Sequence, residues 1–540
     1  MILSWNGCRF EVDCSSLQKD IPQKAGFHWD RRCSKWWTGR LDVADKLSLY
    51  ADERAKKRLN QAEQQVIASR AVDANIEIPA PKGLSYLGFQ KAAASFALSR
   101  KDTLISDSMG LGKTIESIAV INADPSIKNV LIICPASLKL NWMRELQKWV
   151  VKELTGEIAS GKDFPKTDIV IVNYEQVKKF KKDVEKREWD LLIADEIHMC
   201  KNSDAIRTRQ VLGWASESGK TIILPIDAKR RIYMTGTPIL NRPIELWPLL
   251  RVVDPEGLGA SYWAYAKRYC SLWESPWGWD ARGATKENLP ELQTRLRQNF
   301  MIRRTKEQVL TELPPKRRQI ITIPGDGAKA AIKAENDFYL RNENIIEEAK
   351  LEAEISQSLG DEVSFKTATE KLKGAKKLLF EEMSRLRHDS SLALLPYAVD
   401  YLANKLEEQD KIVVGTYHRD ITEQLFDKFK KTAVMMHGGT SLSARQAAVD
   451  RFQTDSSCNA IIGTIGTMGV GWTLTAASYA LLVSCDWVPA LLWQFEDRIH
   501  RIGQSRGILI QYLCFDNSLD ASMLKKVLEK QEGIELALDR

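Results

Sequence analysis

Two series of short apolar runs, each interleaved with helical periodicity, set the pattern of this chain. In the first series Thr103-Leu104-Ile105, Asn129 to Pro135, Asp168 to Tyr174, Trp189 to Ala194 and Arg231 to Pro238 read as strands. In the second series the strands are Lys411 to Gly415, Ala433 to Met436, Ala460 to Gly463, Tyr479 to Ser484 and Leu509 to Cys514. Strands that are apolar throughout are covered on both faces, and strands that alternate with helices build parallel sheets. The pattern therefore predicts an α/β chain with two parallel-sheet lobes. Between them, from about 255 to 390, the residues are charged, helix-prone and without strand alternation, so helical protrusions are expected, with Trp263, Trp273, Trp277 and Trp279 packing them. Ahead of the first lobe, Cys8 to Val12 alternates like a strand, and residues 1–50 look like a small α+β module. Asp42 to Arg70 is helix-prone, and Pro79-Ala80-Pro81-Lys82-Gly83 signals a linker. The expected division is 1–50 accessory module, 51–83 connector and linker, 84–255 first lobe, 256–390 protrusions, 391–520 second lobe and 521–540 a C-terminal helix.

Composition narrows the class. At 540 residues the chain is too long for one core. Its net charge of +7, from 78 basic and 71 acidic residues, is mild, so any nucleic-acid surface must come from sorting of charge. The nine cysteines, at 8, 14, 33, 134, 200, 270, 458, 485 and 514, form no C-x-x-C pair, and the six histidines sit at no ligand spacing from them. Reduced, buried thiols are expected rather than a zinc site. The N-terminal residues do not read as a signal peptide, and no run of about 18 apolar residues predicts a membrane span. A cytoplasmic, non-secreted protein without a membrane partner is the expectation.

The chemistry concentrates in a few stretches. Asp107-Ser108-Met109-Gly110-Leu111-Gly112-Lys113-Thr114 follows the Thr103–Ile105 run and precedes the helical pattern Ile115 to Ile121. Strand, glycine-rich loop and helix form the context of a phosphate-binding loop. Lys113 would reach the β- and γ-phosphates, and the Thr114 hydroxyl would take a Mg²⁺ position. Asp107 stands where G-x-x-x-x-G-K-[ST] has its first glycine; a glycine-rich turn capping a helix is the alternative. Asp195-Glu196-Ile197-His198, a DEAH-type box, ends the Trp189 run, with Asp195 suited to the Mg²⁺ shell and Glu196 to polarising water. Gln90, at a helix start just upstream of the loop, suits an adenine edge. Ser137, Lys139 and Asn141 could hold a DNA phosphate, or Ser137 could simply cap a helix. Lys178 to Arg187 reads as a solvated helix face, and Thr235 and Thr237 either couple the nucleotide site to lobe movement or form a plain turn.

On a helix Arg498 and Arg501 would share a face and serve as arginine fingers, unless Glu496 and Asp497 make them part of a salt-bridged surface helix. In the N-terminal module Phe27, His28, Trp29, Trp36 and Trp37 interleave with Arg31, Arg32, Lys35 and Arg40, a mixture that stacks on bases and neutralises phosphate. Trp29 and Trp36 could equally be that module's core.

The ordered set of motifs resembles the superfamily 2 helicase-like ATPases of the SWI/SNF-related group over about residues 84–520. The match rests on Gln90, the Asp107–Thr114 loop, Pro135 to Trp142, Asp195 to His198, Thr235 to Pro238 with Asn241 to Trp247, and Met301 to Lys306. It continues with His437-Gly438-Gly439, Thr464 to Thr473, Trp487 with Pro489, and Gln494 through Arg498 and Arg501 to Gln504. The Phe27–Arg40 module looks most like the HepA-related (HARP-like) annealing helicases. The resemblance implies two RecA-like lobes closing on ATP and Mg²⁺, with Thr467 and Trp487 joining Ser137, Lys139, Asn141, Arg31, Arg32 and Lys35 toward DNA. It also implies translocation on double-stranded or branched DNA, by a monomer, without true strand separation. Ser108 replaces the family's usual Glu, leaving the catalytic atoms untouched, and Leu394 stands where a Lys is usual. No bromodomain or chromodomain pattern occurs, so a bacterial nucleoid or virus-encoded setting is expected. A strand-separating helicase, and a nucleic-acid-binding module with a vestigial ATPase, are the alternatives; intact Lys113, Thr114, Glu196 and Arg501 speak against the second.

Overall fold

Alternate residues of each central strand feed two different cores, which is why these runs are apolar at every position. In the computed structural model Val130, Ile132 and Cys134 lie in one buried cluster and Leu131 and Ile133 in another, on opposite faces of one sheet. The structure describes residues 1–540 except positions 8, 32, 162, 216–221, 237–242, 276–277, 339, 343–361, 470, 485–488, 519, 523, 526–527 and 529–540. The first sheet has seven strands in the order Met301–Ile302, Asp102–Ile105, Arg230–Met234, Leu191–Asp195, Val130–Cys134, Ile169–Asn173 and Gly156–Ile158. All its pairs are parallel. Helices Lys113–Ala123, Lys139–Trp149 and Tyr174–Lys186 connect strands, the last burying Val177, Phe180 and Val184 and turning Lys178, Lys179, Lys182 and Lys186 outward, while Lys181 bonds the Gln210 and Leu224 carbonyls.

The second sheet has six parallel strands in the order Lys316–Ile323, Ile508–Phe515, Tyr479–Val483, Ile412–Thr416, Ala460–Thr464 and Ala433–Met436. It too separates two cores, around Phe452 and Phe495 on one side and Leu402 and Leu425 on the other. The expected α/β fold with two parallel-sheet lobes is present.

The expectation for residues 255–390 needs correction. Helices Tyr262–Tyr269, Leu289–Asn299 and Glu362–Glu408 are there, but so are four strands. Cys270–Ser275 and Gly278–Ala284 form an antiparallel hairpin, Met301–Ile302 joins the first sheet, and Lys316–Ile323 is the edge of the second. The edge strand escaped a hydropathy reading because its first half is basic. Lys316 and Arg318 are spent on a buried carboxylate, Glu496, at 2.7 Å each.

The N-terminal module is an antiparallel sheet in the order Ile2–Trp5, Phe10–Asp13, Lys35–Thr38, His28–Asp30. Its core is Leu3, Phe10, Val12, Phe27, Val43 and Leu47, closed by Leu59 of the Glu53–Arg70 helix. The reading of Trp29 as core is wrong: it is 49% exposed, edge-on to Trp36, while Trp36 packs only at the margin of the cluster. The stretch from 42 to 70 is not one helix, because Asp52 accepts the Ala55 amide at 2.7 Å and starts a new one. No helix among the described residues is long and apolar enough to cross a membrane.

Candidate active site

The glycine-rich loop leaves the Asp102–Ile105 strand and turns through two left-handed glycines, Gly110 (φ 84°) and Gly112 (φ 89°), into the Lys113–Ala123 helix. Its amides and the helix start make an anion cradle. A Cβ on Gly110 would lie 2.8 Å from Cβ of Arg501, so the loop meets the second lobe at backbone distance. Lys113 Nζ donates to the Asp107 carbonyl at 2.8 Å. Gln90 receives the Leu87 amide at 3.0 Å and donates to the Leu111 carbonyl at 3.4 Å, which fixes its amide beside the loop.

The carboxylate pair sits where the Leu191–Asp195 strand ends. Asp195 accepts from Trp142 Nε1 and from the Glu196 amide, both at 2.9 Å. Glu196 has φ 53°, a left-handed conformation that costs a non-glycine residue about 1–3 kcal/mol and marks sites held by function. Its carboxylate lies 3.1 Å from His198 Nδ1, which in turn lies 3.2 Å from Thr235 Oγ1. Burial, and then the charge of Glu196, raise the Asp195 carboxyl to about 7. Burial pushes Glu196 up as well, but His198, Lys113 and Arg498 outweigh it and hold Glu196 below its ordinary value. Two adjacent carboxyls are thus driven apart, leaving Glu196 as the ionised one.

The arginine pair comes from the other lobe, and not from a helix. The helix Pro489–Glu496 ends before them, and 497–501 tighten into turns closed by Arg498 N to Phe495 O (3.1 Å) and Ile499 N to Glu496 O (3.1 Å). Past Glu496 the main-chain carbonyls are bonded elsewhere, Arg498 O by the Leu474 amide at 2.9 Å and His500 O by Lys306, and the side chains of Glu496 and Asp497 are held by other elements. Glu496 is taken by Lys316, Arg318 and Tyr512, and Asp497 by Lys306 at 2.6 Å. The salt-bridged surface helix is therefore not what forms. Arg498 Nε donates to Gln494 O at 2.9 Å and Arg501 Nη1 to Trp472 O at 3.0 Å. Burial lowers both arginines, Arg501 to about 10, which still leaves cations at neutral pH.

A cleft of about 560 Å³ brings these groups together: Gln90, Met109, Gly110, Gly112, Lys113 and Thr114 from one lobe, Arg498 and Arg501 from the other, with Asp195 and Glu196 in the same lining. Three cations, two carboxylates, a hydroxyl and loop amides are a donor set that fits a polyphosphate with a hard divalent cation.

Asp107, Ser108 and Leu111 do not line the cleft. The Asp107 side chain is buried and gripped by Arg304 instead. Ile197 is core, and His198 acts behind Glu196. Ser137 lies in a 3-10 turn, Ala136–Leu138, and caps nothing. Lys139 donates to Asn173 at 3.3 Å, while Asn141 lines the same cleft. Thr467 accepts from Thr464 at 2.9 Å. Arg31 is exposed; Lys35 and Arg9 are drawn to Glu11, at 3.4 and 3.0 Å. Arg32, Thr237, Pro238, Asn241, Arg242, Trp277 and Trp487 lie outside the described residues. Sequence reasoning missed Trp142 as the partner of Asp195 and Arg304 as the partner of Asp107. The signal for the second was a pair of arginines, 303 and 304, with no acid beside them in the chain.

Comparison with known proteins identifies the family. The model of the SNF2-related domain matches residues 23–378, and that of the helicase conserved C-terminal domain matches residues 394–503. The chain is 28% identical over 463 residues to a Xenopus tropicalis protein, SWI/SNF-related matrix-associated actin-dependent regulator of chromatin subfamily A-like protein 1, covering 84% of this chain and 45% of the relative. It is 32% identical over 462 residues to the human DNA annealing helicase and endonuclease ZRANB3, covering 81% of this chain and 39% of the relative. It thus spans less than half the length of these two relatives. Among solved structures, the Sulfolobus solfataricus SWI2/SNF2 ATPase core in complex with dsDNA aligns at 20% identity and a TM-score of 0.38, over 86% of this chain and 96% of that one. With a domain model covering well over half its residues, the chain belongs to the family of the SNF2-related domain.

Proposed function

We propose that the chain is an ATP-dependent double-stranded DNA translocase that remodels forks, anneals strands or displaces bound protein. The observation that carries this reading is the cleft itself, where a glycine-rich loop and a carboxylate pair from one sheet face two buried arginines from another. Bound Mg²⁺·ATP supplies the scissile phosphoanhydride and the divalent charge. Loop amides and Lys113 hold the phosphates, Thr114 and Asp195 hold the cation, and Gln90 orients the base. Glu196, kept ionised by His198 and the nearby cations, aligns the attacking water and takes its proton. Arg498 and Arg501 offset charge on the transferring group, and they do so only while the lobes are together.

DNA reaches this chemistry through the Ala136–Leu138 turn. That turn leads into the helix whose Trp142 fixes Asp195, so a strand held at Ser137 and Lys139 acts on the Mg²⁺ carboxylate through one rigid element. Thr467 and Trp487 supply the second lobe's grip. His28, Trp29 and Trp37 with Arg31 and Lys35 give the N-terminal module a stacking surface for unpaired bases at a fork. ZRANB3, named as a DNA annealing helicase, is consistent with that use.

Steady-state ATP hydrolysis measured without DNA, and with single-stranded, blunt duplex and forked DNA, tests the reading. Duplex should stimulate strongly and single strands weakly; equal rates with and without duplex would refute it.

A further inference from the structure

Residues 302–306 touch both halves of the cleft. On one side they run beside the glycine-rich loop. Ser106 N donates to Ile302 O at 2.8 Å, Ser108 N to Arg304 O at 3.0 Å, and Arg303 Nη1 to Ser106 O at 2.9 Å. The Arg304 amide donates to Asp107 Oδ1 at 2.9 Å, and its guanidinium takes both oxygens of that carboxylate. Arg304 also reaches Glu116 at 3.4 Å and the carbonyls of Ala71 (3.1 Å) and Phe89. Arg304, Asp107 and Glu116 are all fully buried. Two residues on, Lys306 Nζ donates to Asp497 Oδ1 at 2.6 Å and to the His500 carbonyl. Those two acceptors flank Arg498 and precede Arg501.

Two residues of extended chain span no more than about 7 Å. The strap is therefore a short link, fixed at one end to the loop that precedes Lys113 and at the other to the turn that carries both arginines. The Arg304 end cannot slide, because a fully buried bidentate pair gives up several hydrogen bonds at once if it moves. The Lys306 end is also buried, 6% exposed, and the Thr305 amide donates to Gln308 Oε1 at 3.0 Å.

We propose that this strap sets the separation between the phosphate loop and the arginine pair, with Lys306 as the positioning residue that presents Arg498 and Arg501 to the nucleotide. The proposal rests on reading the cleft as an ATPase site. Lys306 touches the main chain and the acid around the arginines, and its effect falls on groups that act most strongly on charge developing in the reaction. Losing it should lower kcat and leave ground-state binding nearly as it was.

The test uses the full chain, saturating duplex DNA and ATP. Lys306→Met keeps the stem and removes the charge; Lys306→Arg keeps the charge; Asp497→Asn removes the partner. Lys306→Met and Asp497→Asn should each lower kcat by about ten- to a hundredfold, the scale of an ångström-sized displacement of a catalytic group, with KM for ATP within about twofold. Lys306→Arg should recover most of the loss. The double variant Lys306→Met/Asp497→Asn should be no slower than Lys306→Met within about twofold, since Lys306→Met already removes the ion pair that Asp497→Asn removes. Circular dichroism melting of each variant separates misplacement from unfolding. Folded Lys306→Met with wild-type kcat would overturn the proposal, as would a loss confined to KM or a double variant with multiplied losses. Should Lys306→Met fail to fold, the Lys306→Arg and Asp497→Asn comparison decides in the same way. If the wild-type chain itself shows no DNA-stimulated hydrolysis, the ATPase reading falls; if it does and the variants match it, only the strap proposal falls.

Discussion

Replacing Glu496 by Gln should weaken the second lobe at neutral pH and do so far less in acid. Glu496 is fully buried where the helix carrying the arginine turn meets the sheet edge. Lys316 Nζ lies 2.7 Å from it, Arg318 approaches through Nε (2.9 Å) and Nη2 (2.7 Å), and Tyr512 donates its hydroxyl. Burial alone would raise this carboxyl, but Lys316 and Arg318 outweigh it and hold it down at about 2, against 4.5 for the free group. A folded value below the unfolded one means that the unfolded chain binds the extra proton, so the stabilisation is complete above pH 4.5 and is lost as pH falls toward 2. The lowered carboxyl is worth on the order of 3 kcal/mol at pH 7, and on the order of 1 kcal/mol survives at pH 3.

The Ile508–Phe515 strand is paired with Lys316–Ile323 and carries Tyr512, so its amides report the loss locally. Hydrogen exchange of that segment should speed up in Glu496→Gln on the order of a hundredfold at pH 7 and on the order of tenfold or less at pH 3. An equal acceleration at both pH values would show that shape rather than charge holds the junction. No acceleration at pH 7 would show that the ion cluster contributes nothing net.

Lys113→Ala should reduce DNA-stimulated hydrolysis to below about a tenth of wild type, a loss of more than roughly 1.4 kcal/mol, while duplex binding by fluorescence anisotropy stays within a few-fold. Glu196→Gln should bind ATP with near wild-type affinity and turn it over at least about a hundredfold more slowly, because the amide keeps the shape and loses the base; an affinity loss as large as the rate loss would instead make Glu196 a nucleotide ligand. Trp29→Ala with Arg31→Ala should leave duplex-stimulated hydrolysis within a few-fold and abolish any preference for forked over blunt DNA in competition binding, since Trp29 is half-exposed and neither residue supports the module's core.

What could be read from the chain was what is local. The glycine-rich loop announces itself because its conformation demands glycines at 110 and 112 in a row of eight residues, and the carboxylates because they end a fully buried run. Contacts between distant segments left no such trace. Trp142 reads as one more core tryptophan until its ring nitrogen is seen 2.9 Å from Asp195, 53 positions away. Lys316 and Arg318 read as a basic loop because their acid, Glu496, lies about 180 residues further on. The same distance explains the error at Arg498 and Arg501. Helical spacing places both arginines on one face, but Leu474 and Lys306, distant in the chain, take the Arg498 and His500 carbonyls and the helix does not continue.

In the proposed mechanism the site is completed from two lobes, with Arg501 acting on the nucleotide held by Lys113. The direct test is single-turnover ATP hydrolysis by wild type and by Arg501→Lys on saturating duplex DNA. An ammonium keeps the charge but cannot copy the planar fork, so the account predicts a cleavage step slowed by about a hundredfold or more with ATP binding retained, in keeping with the scale of an arginine finger. Cleavage at the wild-type rate in Arg501→Lys would contradict it.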